Sequence, residues 1–112
     1  MRRIRSNFHR LHALKDARPK LRSAIIANSD KELVNSISEC ALNVLKGTVK
    51  LSDCKKRKLR KFKRQLRTIV DKRVPLAGKK KLIIQRGGFI VSLLSAVLPA
   101  PATIIYDQFK GS

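Results

Sequence analysis

The chain has 112 residues, 27 lysines and arginines against 7 acidic residues, and a formal net charge of +20. A small domain with this charge repels itself, so a polyanion is its expected partner, nucleic acid first and an anionic membrane surface second. An aromatic content of 4% with no tryptophan excludes a base-stacking platform for single strands and suits contact with phosphates.

The charge is unevenly placed. Residues 1–86 hold 26 basic and 6 acidic residues, whereas residues 89–112 hold only Lys110 and Asp107. Residues 1–7 read as a flexible basic arm. The stretch "MRRIRSNFHRLHALKD" has no apolar core of signal-peptide length, so secretion is not expected. Phe8, Leu11 and Leu14 then recur at helical spacing as far as Asp16. A second short helix opens with Pro19 in its first turn and is expected to face Leu21, Ala24 and Ile25 inward.

The third helix carries the strongest local signals. Ser29 and Glu32 have the spacing of a capping box, with Ser29 as the expected N-cap. Leu33, Ile37, Cys40, Ala41 and Val44 form one apolar stripe, and Gly47 marks the end. The fourth helix opens at Ser52, with Asp53 favourably placed at its N-terminal dipole. Leu59, Phe62, Leu66 and Ile69 supply its apolar face until Pro75 ends the pattern.

Its other faces carry Lys55, Lys56, Arg57, Lys58, Arg60, Lys61, Lys63, Arg64 and Arg67 with no acid between them. No pair of opposite charges at i,i+4 relieves this repulsion, so the helix favours bound anions. These nine residues are the nucleic-acid-binding candidates. Gln65 alone offers an amide suited to base edges, so little sequence preference is expected. With no strand-period alternation in residues 1–74, the fold class is all-α. The expectation is a small three- or four-helix bundle at 8–74, with a basic linker at 75–88 and an apolar tail at 89–112. A domain of this size is marginally stable alone, so bound polyanion or homo-oligomer formation would support it.

The uncharged run from 89 to 106 contains Pro99 and Pro101 and falls short of the about 20 apolar residues of a straight membrane span. Membrane contact through 89–112 is therefore expected at an interface. Left exposed, such a segment invites aggregation, so it is expected to fold back as a helix or hairpin, or to join copies together. No catalytic constellation appears: the acids are scattered, and no glycine-rich phosphate loop precedes a helix. His9, His12, Cys40 and Cys54 lack zinc-finger spacing. No enzyme activity, metal or cofactor is expected. Cys40 reads as a buried thiol, while the cations after Cys54 favour its thiolate.

Between the two halves, Gln85-Arg86-Gly87-Gly88-Phe89 resembles the site cut by adenovirus-type cysteine proteases after the second glycine. The basic segment, Gly-Gly-Phe and "FIVSLLSAVLPA" are similar to the precursor of adenovirus core protein X (the mu precursor) over about residues 79–105. Over nearly the whole chain, "ECALNVLKGTVKLS", the basic helix, "DKRVPL", "KKK" and "IIQRGGF" resemble small basic core proteins of Polinton or Maverick elements and adintoviruses.

The resemblance implies a virion core protein that condenses double-stranded DNA, located in the virion and the host nucleus. A viral cysteine protease would separate the basic body from the tail, with Gln85, Gly87, Gly88 and Phe89 as the processing site. Lys79, Lys80, Lys81 and Arg86 would join the DNA-binding body. Alternative readings are a membrane-active minor capsid protein, a death-fold-like helical interaction module, and a host chromatin- or ribosome-associated protein.

Overall fold

The computed structural model describes the backbone of residues 2–98 and the side chains of residues 4–98. The expected all-α class holds. The helix number does not: the described residues form eight short helices rather than three or four. They are α1 (Arg2–Ser6), α2 (Phe8–Asp16), α3 (Pro19–Ala27), α4 (Lys31–Lys46), α5 (Asp53–Arg60), α6 (Lys63–Val70), α7 (Leu76–Gln85) and α8 (Gly87–Val97).

Helix α4 forms one axis of the core, packed against α1, α6, α7 and α8. Its predicted stripe of Leu33, Ile37, Cys40 and Ala41 is buried, with Val44 packed against the cluster. Both ends obey local chemistry. Asp30, rather than Ser29, is the N-cap, its carboxylate accepting from the Leu33 N–H at 3.0 Å. Ser29 instead donates its hydroxyl to the Ile26 carbonyl at 2.7 Å and closes α3, one residue too early to cap α4. At the other end Gly47 takes a left-handed φ of 74°, where a side chain would be strained. The Gly47 and Thr48 N–H groups donate to the Val44 and Asn43 carbonyls, the Schellman pattern.

The supposed N-terminal arm is ordered from Arg2 onward. Ile4 is buried, α1 lies on α4, and Asn7 donates from Nδ2 to the Ser36 hydroxyl at 2.9 Å within the interior. Among the described side chains, Ile4 and Asn7 attach the arm, and neither has a periodic signature. In α3, Ile26 is the fully buried residue, while Leu21 is 57% exposed, Ala24 is exposed and Ile25 is half-buried. Five apolar residues, Leu21, Ala24, Ile25, Ile26 and Ala27, spread around so short a helix leave its inward face undetermined until α7, α2 and α8 pack on it.

The basic helix breaks at Lys61–Phe62 into α5 and α6. The Phe62 N–H donates to the Leu59 carbonyl three residues back, a tightened turn, and the ladder restarts from Phe62 to Leu66. The break lets α5 lie on α8 while α6 lies on α4. It also sets the Phe62 ring 6.3 Å from that of Phe89.

The expected linker 75–88 is largely α7, opened by Pro75 and held by buried Ile83. The described part of the apolar tail is α8 with Leu98, the second axis of the core. Phe89, Ile90, Leu93 and Leu94 are fully buried there against α2, α4, α5 and α7. Pro99, Pro101 and the rest of the tail lie outside the described residues.

Candidate nucleic-acid interface

Because α5 buries only Leu59, and α6 only Leu66 and Ile69, the charged positions of both helices stay outside. All nine cations predicted between 55 and 67 are exposed. Among the described residues the ion pairs involve Arg10, Lys15 and Arg73, and none of the nine. Ser52 caps α5 by accepting from the Lys55 N–H at 3.3 Å, as its place in the sequence predicts. The Lys55 ammonium reaches the Ser95 carbonyl of α8 at 3.4 Å, fixing the edge of the basic unit to the core.

On α6, Lys63, Arg64 and Arg67 surround a shallow depression of about 410 Å³ together with Thr68 and Asp71. The one carboxylate there is already neutralised. Asp71 accepts from Arg73 Nη2 at 3.1 Å and Nε at 3.2 Å, and from the Arg73 N–H at 2.9 Å. These bonds hold its carboxyl below the ordinary carboxylate range, so a neighbouring phosphate meets three unopposed cations. Lys50, alone in the loop before α5, borders a second groove with Lys56, Arg60 and Lys63. An isolated loop cation gives no periodic signal, so the sequence does not single it out.

The other four candidates lie on α7 or just after it, a helix that also touches α6, and the Lys79 charge helps to hold the Asp71 carboxyl low. Helix α7 packs chiefly on α3 and α8. Lys80 is half-buried and donates to the Ser29 carbonyl at 2.6 Å, a bond joining α7 to the end of α3. Lys79 is half-buried, whereas Lys81 and Arg86 are exposed. Base-reading groups are withdrawn as well. Gln65 is half-buried with its Oε1 enclosed, and Phe8, Phe62 and Phe89 pack inward.

The predicted processing site lies across the α7–α8 junction. Gln85 ends α7 and is exposed, and the Gly87 carbonyl accepts from Arg22 Nη1 at 2.9 Å. Gly88 is exposed while Phe89 is fully buried, so the bond between them is helical and inaccessible on one side. Neither glycine has a positive φ, and a Cβ at Gly88 meets nothing within 4 Å. The fold therefore has no need of glycine at 88. Gly88→Ala is expected to raise stability by about 0.4–1 kcal/mol through the unfolded chain's lost freedom, measured by chemical denaturation. A loss of stability would show that the backbone there is constrained.

The cysteines differ sharply. Cys40 is buried in α4, and burial pushes its thiol up to about 12, whereas Cys54 lies exposed on α5. In the native protein a thiol reagent is expected to label Cys54 and spare Cys40 until denaturant is added. The raised value also sets a sign. The neutral Cys40 thiol supports the fold below the ordinary thiol range, and that support is lost as pH rises from there toward about 12.

Among the described residues, no group of three or more histidines, cysteines and acids is placed to hold a metal ion. Among the same residues no helix is long and apolar enough to cross a membrane. Comparison with family models, curated proteins and solved structures gives no match.

Proposed function

We propose that this protein binds double-stranded DNA without sequence preference and without catalysis, using α5 and α6 as the edge that meets the phosphates. One observation carries the reading: nine exposed cations stand on two short helices and the turn between them, and none is in an ion pair among the described residues. Their mutual repulsion falls when phosphates approach, and release of condensed counterions from the duplex supplies the driving force. With Gln65 and the described phenylalanines turned inward, the edge offers little for base readout.

In the virion-core role implied by the sequence resemblance, the bound duplex would be packaged DNA, and binding along it would condense it. Processing after Gly88 in that role requires α8 to leave the core first, because a protease groove takes extended chain and this bond is helical. The test is fluorescence anisotropy of the full chain with two short duplexes of unrelated sequence across a salt series. Near-equal affinities with steep salt dependence are expected. A preference of about a hundredfold for one duplex would replace this reading with a sequence-specific one.

A further inference from the structure

Beside the basic edge lies a groove that phosphates do not explain. It has a volume of about 650 Å³ and runs between the end of α4, the loop after Gly47 and the α5–α6 unit. Its floor is apolar, made by Val44 and Leu45 of α4, Leu51 of the loop, and Leu59 and Leu66. Val44, Leu45 and Leu51 are only half-buried, so this floor is open to a visitor. Its rim is cationic: Lys50, Lys56, Arg60 and Lys63 border it, and no acidic side chain does among the described residues.

A duplex presents phosphates to such a rim but, beyond scattered thymine methyl groups, offers no apolar face to cover the floor. A second copy of this chain, at net +20, would bring cations to cations. We infer that this groove docks an acidic amphipathic peptide segment of a protein partner, its large apolar side chains on the floor and its carboxylates on the rim. Lys56 and Arg60 stand one turn apart, with Cβ atoms about 5–6 Å from each other. That spacing suits carboxylates on successive turns of a helical segment laid in a groove. Because Lys56, Arg60 and Lys63 also belong to the proposed DNA edge, peptide and duplex would compete, and an acidic partner would release the protein from DNA.

The test uses the full chain and a fluorescein-labelled peptide of about twelve residues, with leucines and a phenylalanine at helical i, i+3, i+4 and i+7 spacing and glutamates on the remaining faces. A second peptide of equal charge carries serine at each apolar position. The apolar peptide is expected to bind at least about tenfold more tightly than the serine peptide at physiological salt, and to be displaced by duplex DNA. Leu45→Ser is expected to weaken the apolar peptide at least about fivefold while leaving duplex affinity unchanged. Arg64→Glu, outside the groove, is expected to do the reverse. The wild-type comparison of the two peptides stands even if Leu45→Ser fails to fold. Equal binding of both peptides, or none even at low salt, overturns the inference. Retention of the protein on phosphatidylserine vesicles without peptide binding also overturns it, in favour of lipid.

Discussion

A chain ending at Gly88 is expected to lose its cooperative fold. Cutting there removes Phe89, Ile90, Leu93, Leu94 and Leu98 from the interior, the first four of them fully buried. It takes away the helix against which α2, α4, α5 and α7 pack. Truncating a single buried phenylalanine costs about 3–5 kcal/mol, while a whole domain holds only about 5–15 kcal/mol of net stability. Phe89→Ala alone should therefore consume a large share of the total, and deletion of α8 all of it. The check is circular dichroism on heating and dye binding to exposed apolar surface, comparing residues 1–88 with the full chain. A cooperative melt in 1–88 close to that of the full chain would contradict the prediction. Loss of the melt would mean that processing at this bond unfolds the body rather than trimming it, leaving a cationic chain free to order on DNA.

Duplex binding is expected to weaken steeply with salt. If the α5–α6 cations meet about 6–10 phosphates, affinity should fall by about 10³–10⁵ between about 50 and 200 mM salt. Each cation removed from the contact set should lower the log–log salt slope by about one. Joint replacement of Lys63, Arg64 and Arg67 by alanine should thus lower it by about three. All three are exposed and form no ion pair among the described residues, so the variant should fold at least as well as the parent. Lys80→Ala is the contrasting case: its ammonium is bonded to the Ser29 carbonyl, and the substitution should affect stability more than the slope. A flat salt response of the parent would remove the basis of the DNA-binding proposal.

The candidate edge was legible in the sequence because its evidence is a count of like charges, which needs no tertiary contact to be read. The half-burial of Lys79 and Lys80 was not, since a run of charges carries no information about which neighbours α7 packs against. The groove beside the edge was likewise hidden. Val44 reads as part of the apolar stripe of α4, and only the break at Lys61–Phe62 and the loop through Leu51 leave it and Leu45 half-uncovered.

The same division holds for the fold. Helix punctuation and strong periodicity were determined locally: Pro19 opening α3, Ser52 capping α5, Gly47 closing α4, and the apolar stripe from Leu33 to Val44. Each depends on hydrogen bonds or side-chain spacing within a few residues, which the sequence alone specifies. Helices α1, α7 and α8, the facing of α3 and the break between α5 and α6 were decided by tertiary packing. Their local signals are weak or conflicting. Ile4 is one apolar residue in a charged segment, Gly87 and Gly88 are weak helix formers, and α8 is apolar on nearly every side. In such segments the free energy of burying Phe89, Ile90, Leu93 and Leu94 against their neighbours outweighs local preference, and the Gly-Gly pair becomes the first turn of a core helix.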